Sequence, residues 1–485
     1  MSSEGRRLAD WRPRRTTVAR SATARNALGI FGAGAVRRVV TLAALFLISR
    51  TLKQSDFQAY ALLLGTAELF RGVLGFSSDQ LLVRLLQSTE RDTWLAPAIL
   101  LKVALGIGGA LLVWLLAWIL GYPASAVHRA WILVPYLAIA GTNESMAAFM
   151  QSRRTASVTA ISVALAGVGY LTGVILLAKA SLGFVAFMAW LIAFEGSILL
   201  LQVVLARRAL RWQLRWRLES IVELLRAGWP IGLATVLTMT YFRLDVVVLG
   251  HFYPDEADRY YSAYKLAESA LLIGVAVSGA LLPELSRMAH RPHSPTYRLV
   301  SASLGGSSAA VLIVQSLMLV FGRDIASMAY GASFGTIAPA LVVLLGAATF
   351  MAGNMVTAVV IVAYSKQRWL IPLTTFNVAV NLVANLVLIP RFGYAGAAWA
   401  TLITEALNAA IQVWLVKRIL GLWPVRWPGI LVGLSSILYA SLAFASFRPI
   451  VVWTVASGGI ALALVLLIRV ALTMNVRSLV GDLSG

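Results

Sequence analysis

Charged side chains inside long apolar stretches are the residues of this sequence whose types could do chemistry. There are six bases and seven acids of this kind: Arg37, Arg38, Arg71, Lys102, Arg243, Lys265, Glu68, Asp79, Glu144, Glu195, Asp245, Glu268 and Glu405. A charge at the centre of a bilayer costs about 2.5 to 3.5 kcal/mol on insertion scales, so such residues normally face a cavity or one another. The pattern therefore predicts a charged path, or a network of ion pairs, within membrane-spanning helices.

The composition of the chain indicates that these charges lie on membrane-spanning elements. The chain has 485 residues, of which 59% are hydrophobic and 13% charged, and its formal net charge is +21. Soluble domains have about 25% charged residues, so this chain cannot cover a water-soluble surface. Apolar runs of about 20 residues predict an all-α membrane protein with fourteen spans. They lie at 27–49, 57–83, 94–120, 130–151, 157–178, 182–206, 228–250, 259–284, 299–321, 335–364, 369–389, 394–416, 427–447 and 449–468.

The basic residues indicate how these spans are oriented. Cytoplasmic loops are enriched in Lys and Arg. With an inner N-terminus, fourteen spans place 27 bases in cytoplasmic segments and 8 in outer ones. We therefore expect both termini in the cytoplasm. The positive charge is then a topology signal, and no nucleic-acid partner is expected.

An internal repeat divides the chain. With an offset of 210 residues, 183–210 aligns with 393–420 without a gap, and seven of 28 positions are identical, including Glu195 with Glu405. A weaker register, offset by 200, gives two further matches: Tyr60 with Tyr260, and Glu68 with Glu268. Matching helices lie six apart, so both copies cross the membrane in the same direction. This is the organisation of transporters built from parallel repeats, in which the substrate path lies between the repeats.

The repeat also predicts how the chain is segmented. Five segments are expected: a flexible basic cytoplasmic arm at 1–26, a six-helix lobe at 27–206, a basic linker at 207–227, a second six-helix lobe at 228–418, and two further helices with a short cytoplasmic tail at 419–485. The linker contains Trp212 and Trp216 among several arginines, a pattern typical of an amphipathic helix at the membrane surface.

Three segments resemble a known family. Residues 389–408, IPRFGYAGAAWATLITEALN, resemble the segment joining the eleventh and twelfth helices of polysaccharide flippases of the Wzx type. Residues 50–86 resemble the first loop and second helix of those proteins, and residues 241–268 resemble their seventh and eighth helices. The resemblance covers about residues 25–420. It is a resemblance to the multidrug, oligosaccharidyl-lipid and polysaccharide superfamily.

The resemblance implies a function. It implies two lobes, alternating access, and movement of an undecaprenyl-diphosphate-linked oligosaccharide from the cytoplasmic to the periplasmic leaflet of a bacterial cytoplasmic membrane. The oligosaccharide would serve O-antigen, capsule or exopolysaccharide assembly. The expected partners are this lipid-linked substrate, the lipid bilayer, and polysaccharide polymerase or export machinery. A peptidoglycan-precursor flippase and a drug or cation antiporter of the same superfamily are the alternatives.

The same resemblance implies where the substrate binds. In that family the first, second, seventh and eighth helices line the central cavity, and here they carry Arg37, Arg38, Arg71, Arg243 and Lys265. An anion on a low-dielectric path needs cations, and the planar fork of arginine suits a phosphate. We therefore expect these five bases to contact the headgroup. The alternative is ion pairing along one helix face, for which two pairs have the spacing: Glu68 with Arg71, and Lys265 with Glu268.

The acids have two possible roles. If transport is driven by protons or sodium, then Asp245, Glu268 and Glu68 are the candidates for ion coupling. Glu195 and Glu405 instead fit a structural role that is repeated in the two lobes. Glu405 also belongs to a polar stripe on one helix face, for which interhelical hydrogen bonding and a hydrated cavity are the two interpretations. The other members of that stripe are Thr401, Asn408 and Gln412.

The sequence lacks the motifs that an enzyme or an ATP-driven pump would need. A phosphate-binding loop requires a Gly-Lys dipeptide, which this sequence does not contain. Cysteine is absent, which excludes thiol nucleophiles and thiolate metal sites, and the four histidines are scattered among loops. A metal site would need three or four converging ligands. We therefore expect a transporter without catalytic residues, metal or cofactor.

Overall fold

The regular structure of the chain is entirely helical in the residues that the computed structural model describes, 13–74, 79–87, 94–207, 218–288, 294–425, 427–445 and 448–481. The first eight α-helices are α1 Pro13–Thr51, α2 Gln54–Leu74, α3 Asp79–Leu85, α4 Leu95–Ile119, α5 Ala124–Val127, α6 Leu133–Ser152, α7 Ala156–Lys179 and α8 Phe184–Ala206. The next eight are α9 Leu218–Phe252, α10 Ala257–Ser269, α11 Leu271–Met288, α12 Ser294–Tyr330, α13 Ala338–Ala363, α14 Leu370–Leu420, α15 Trp427–Ala443 and α16 Pro449–Gly481.

Within the described residues, each of the fourteen predicted spans falls on helix over most of its length, so the predicted fold class is confirmed. The second span is divided between α2 and α3, and the eighth between α10 and α11. The eleventh and twelfth form the single element α14, which is interrupted at Gly393 by a backbone φ of 55° and ψ of −138°. Only glycine adopts such a conformation readily. The chain is a multi-pass membrane protein.

Nine helical stretches in the described ranges are long and apolar enough to cross a membrane by themselves. The predicted count is larger because the interrupted helix α14 holds two spans, and because α2, α6 and α9 contain charged residues that lower their mean hydropathy. Helix α15 is apolar but shorter. Such helices cross a membrane when their polar residues face protein instead of lipid.

The described residues fall into two compact units. Unit one draws on Met1–Leu52, Ala67–Ala117 and Val127–Val236, and unit two on Lys53–Thr66, Trp118–Ala126 and Leu237–Gly485. In unit one, α7 packs on both α1 and α8, and α6 on both α3 and α8. In unit two, α13 packs on α11, α12, α14 and α15, and 78% of its most apolar stretch is buried.

A close helix contact in unit one positions charged residues. A Cβ atom on Gly106 of α4 would lie only 2.8 Å from the carbonyl of Leu137 on α6, so the two backbones can approach this closely because Gly106 has no side chain. The same approach brings Lys102, one turn earlier on α4, to Glu144 of α6.

Two predicted segments lie partly outside the described residues. Positions 1–12 of the basic arm and positions 208–217 of the linker are among them, and so is the predicted surface helix with its two tryptophans. Helix α9 begins at Leu218 and runs without a break to Phe252. The predicted boundaries of the lobes stay a prediction.

Candidate functional site

Unit one contains a buried carboxylate that three helices share. The Glu195 side chain on α8 is 3% exposed and accepts Arg37 Nη1 on Oε1 at 2.5 Å and Arg37 Nη2 on Oε2 at 3.1 Å. Asn143 on α6 donates from Nδ2 to Glu195 Oε2 at 2.7 Å and to the Glu195 carbonyl at 2.9 Å. This carboxylate therefore ties α1, α6 and α8 together.

A second charged network in unit one surrounds a fully buried lysine. Lys102 of α4, with 0% exposure, donates from Nζ to Asp79 and to Glu144, the latter at 3.1 Å. Arg71 of α2 contacts the other oxygen of Glu144 at 3.3 Å. Two cations and two carboxylates thus meet on α2, α3, α4 and α6, where each buried charge faces an opposite one.

Unit two repeats the buried carboxylate with a different partner. Asn354 of α13 donates from Nδ2 to Glu405 Oε2 at 2.6 Å and to the Glu405 carbonyl at 3.3 Å, as Asn143 does to Glu195. The Tyr241 hydroxyl on α9 donates to Glu405 Oε1, the oxygen that corresponds to the one facing arginine in unit one. Glu405 is 1% exposed. The repeat predicted a structural role for both glutamates. In both units the glutamate accepts two hydrogen bonds from an asparagine on a neighbouring helix.

Two of the predicted headgroup contacts lie together in unit two. Arg243 Nη2 on α9 and Lys265 Nζ on α10 both reach Glu268, each at 3.2 Å. The Arg243 guanidinium lies 4.7 Å from the centre of the Tyr264 ring, and Lys265 Nζ lies 5.4 Å from that of Tyr261. The two cations form a cluster in which each makes a cation–π contact with a tyrosine ring and both pair with one carboxylate.

The remaining predicted site residues are placed separately. Asp245 is 3% exposed and accepts the Tyr260 hydroxyl on Oδ2 and the Val246 amide on Oδ1, the latter at 2.8 Å. Arg38 and Glu68 are half-buried in unit one and have contacts of their own.

Sequence spacing found only part of these pairings. The pair Lys265 with Glu268 forms as its three-residue spacing predicts. Arg71, whose spacing suggested Glu68, contacts Glu144 on another helix, 73 residues along the chain. The tyrosines of unit two were not predicted as site residues. The repeat had nevertheless aligned Tyr60 with Tyr260, which was a signal for a tyrosine on α10.

An apolar groove of about 1010 Å³ opens on unit two. Helices α12, α13, α14 and α15 line it, with Leu304, Phe350, Ala410, Val413 and Ile437 among its walls. Asn354 and Thr357 provide polar edges, and Arg469 of α16 is its charged lining residue. Among the described residues, no group of three or more His, Asp or Glu side chains could hold a metal ion.

The comparison with protein families decides the assignment. Residues 23–289, more than half of the chain, match the family described as polysaccharide biosynthesis protein. The chain belongs to this family. Among its curated relatives from Haloferax volcanii, "Probable low-salt glycan biosynthesis flippase Agl15" is 24% identical over 174 residues, and "Probable flippase AglR" is 28% identical over 241 residues. These matches cover 36% and 48% of the chain, and 37% and 49% of the relatives, so less than half of each relative is spanned.

Solved structures share the fold of this polysaccharide biosynthesis family member. Lipid II flippase MurJ, in an inward closed conformation, superimposes with a TM-score of 0.70 at 15% identity, over 92% of this chain and 98% of that one. An inward-facing multidrug resistance MATE family transporter superimposes with a TM-score of 0.60 at 13% identity, over 79% and 94%. The predicted resemblance to polysaccharide biosynthesis proteins is confirmed by the family match, and the solved structures share the fold.

Proposed function

We propose that the chain is a flippase for lipid-linked glycans. It moves undecaprenyl-diphosphate-linked oligosaccharide repeat units across the bacterial cytoplasmic membrane by alternating access, for O-antigen, capsule or exopolysaccharide assembly. Both termini lie in the cytoplasm, and the chain catalyses no chemical reaction. Polysaccharide polymerase or export machinery receives the transported unit.

The cationic cluster of unit two is the observation that carries this proposal. Arg243 is 9% exposed and Lys265 is 20% exposed, and both are oriented by their shared contact with Glu268. A diphosphate offers the same kind of oxygens as that carboxylate, with more negative charge, so it can take over these contacts. Together with Arg37, Arg38 and Arg71, these two bases are the proposed headgroup contacts.

The apolar groove supports a substrate with a long hydrocarbon chain. Its volume of about 1010 Å³ and its walls of Leu, Val, Ile and Ala favour burial of apolar surface. Each buried CH₂ group contributes about 0.8 kcal/mol, so a polyprenyl chain would gain substantial affinity there. An anionic head and a polyprenyl tail are the two parts of the proposed substrate.

Three acids that are paired with bases argue against a cation antiporter. An antiporter needs carboxylates that are available to a cationic substrate. Here Glu144, Glu195 and Glu268 each contact at least one base. Because these three carboxylates are already engaged by bases, a cationic substrate is disfavoured at their positions.

Complementation of a flippase-null strain tests the proposal. The chain should restore surface polysaccharide, whereas the Arg37→Ala, Arg38→Ala, Arg243→Ala triple variant should not, at equal abundance in the membrane. A matched control replaces three exposed arginines, Arg287, Arg323 and Arg391, by alanine, and it should complement like the parent chain. Full complementation by the first variant would refute the cationic headgroup site. Rescue of a strain that lacks its peptidoglycan-precursor flippase would assign the chain to that alternative substrate.

A further inference from the structure

The buried glutamates of the two units share an asparagine partner and differ in the group that contacts Oε1. Asn143 and Asn354 make the same two hydrogen bonds to Glu195 and Glu405, respectively. The opposite carboxylate oxygen faces Arg37 in unit one and Tyr241 in unit two. The Oε1 atom thus has a guanidinium partner in unit one and a phenol partner in unit two.

This difference changes what the carboxyl group can do. Arginine has five N–H donors and no acceptor, so Glu195 must stay ionised to keep both of its contacts with Arg37. A tyrosine hydroxyl can donate or accept. If Glu405 Oε1 takes up a proton, the new O–H can donate to the Tyr241 oxygen, while Asn354 goes on donating to Oε2. Glu405 therefore keeps its contacts with Tyr241 and Asn354 in either protonation state, whereas Glu195 cannot keep both contacts with Arg37 when it is protonated.

The surroundings of Glu405 provide neutral partners. Its own helix α14 contributes Asn408 and Gln412, which hydrogen-bond to each other, and α13 contributes Asn354 and Thr357. From α10, Tyr264 lies within electrostatic range of Glu405.

Four charged groups on α9 and α10 are predicted site residues, and one of them, Lys265, pairs with Glu268. The Arg243 guanidinium stacks on the Tyr264 ring and forms an ion pair with Glu268. Asp245 accepts from Tyr260 and from a backbone amide. These charged groups pair with one another or with tyrosine. The groups that donate directly to the Glu405 carboxylate, Tyr241 and Asn354, are neutral.

We propose that Glu405 and Tyr241 form a proton-binding site, in which Glu405 Oε1 gains and loses a proton while the Tyr241 hydroxyl changes from donor to acceptor. Only its use in transport rests on the proposed function. The link to the substrate is Asn354, which holds Glu405 and also lines the apolar groove. A hydrocarbon chain in the groove would contact the residue that orients the carboxyl group, so occupancy and protonation would influence each other.

Infrared difference spectroscopy of the purified full chain in nanodiscs tests the site without any substrate. Between acidic and alkaline pH, a protonated buried carboxyl group gives a C=O stretching band that shifts in D₂O. This band should be lost in Glu405→Gln and retained in Glu195→Gln, its counterpart in unit one. Tyr241→Arg, which gives unit two the partner found in unit one, should also abolish the band, and Tyr241→Phe should change the pH of its midpoint.

Three results would overturn the proposal. The first is a band that survives in Glu405→Gln. The second is a band that disappears instead in Asp245→Asn, which would assign the proton to Asp245. The third is suppression of the band by sodium chloride but not by choline chloride at fixed pH, which would make this a sodium site. If the band behaves as expected but the chain does not complement, the proposed function fails and the proton site stands.

Discussion

Arg37 places both of its terminal nitrogens on the carboxylate of Glu195, at 2.5 and 3.1 Å, across 158 residues of sequence. The pair joins α1 to α8, and the glutamate is almost completely buried, with 3% of its side chain exposed. Arg37 itself is 26% exposed. A group that is held rigidly on one side and accessible on the other can serve both the fold and a substrate.

Arg37→Ala should therefore destabilise the protein. It leaves Glu195 buried without its counter-charge, and we expect a loss of about 2–3 kcal/mol, below the range for fully buried pairs because Arg37 is partly exposed. Thermal unfolding of the purified protein in detergent measures the change. The double variant Arg37→Ala, Glu195→Gln should regain part of the loss because it removes the buried charge. A double variant as unstable as the sum of the two single variants would show that the pair does not stabilise the fold.

Lys102→Met should be more damaging than Arg37→Ala. Lys102 has 0% exposure and lies between Asp79 and Glu144, so methionine fills its volume but leaves two carboxylates facing each other. We expect a loss of about 3–5 kcal/mol, visible as poor recovery of folded protein and a lower unfolding midpoint. Adding Glu144→Gln should restore part of the stability. Normal stability of Lys102→Met alone would contradict the ion-pair network.

The helices could be predicted from the sequence because lipid imposes a length and an apolar composition on each span. The shared role of Glu195 and Glu405 could also be predicted, because the repeat aligns them without a gap. Their partners could not. Arg37 and Tyr241 contact these acids from helices more than 150 residues away, and no local spacing encodes such a contact.

The break in α14 could be located from the sequence, but the contact that holds it could not. Pro390 and Gly393 mark the end of one span and the start of the next, which the sequence predicted. The structure adds that the Glu256 carboxylate accepts the Tyr394 amide at 2.8 Å, so the turn between α9 and α10 holds the break in place. This contact joins residues 138 positions apart, and it follows from the packing of unit two instead of from any local pattern.

Gly393→Ala should disturb this break. The backbone φ of 55° disfavours any residue with a Cβ atom, and the added methyl group would collide with the Glu256 carboxylate. We expect a loss of about 1–3 kcal/mol, measured by thermal unfolding. Gly458→Ala in α16 is the control, since nothing lies within 4 Å of its Cβ position, and it should be neutral or slightly stabilising. Equal behaviour of the two variants would contradict the assigned role of Gly393.

Filling the apolar groove should impair transport without unfolding the protein. Ala410 lies on the groove wall of α14 and is exposed, so Ala410→Trp can occupy the space proposed for the polyprenyl chain. We expect complementation of the flippase-null strain to fall by about tenfold or more, equivalent to about 1.4 kcal/mol of lost binding. Leu407→Trp is the matched control, because Leu407 is 44% exposed on the same helix and does not line the groove. Equal loss in both variants at equal membrane abundance would show that bulk on α14, and not the groove, limits transport. Unimpaired complementation by Ala410→Trp would remove the groove from the substrate path.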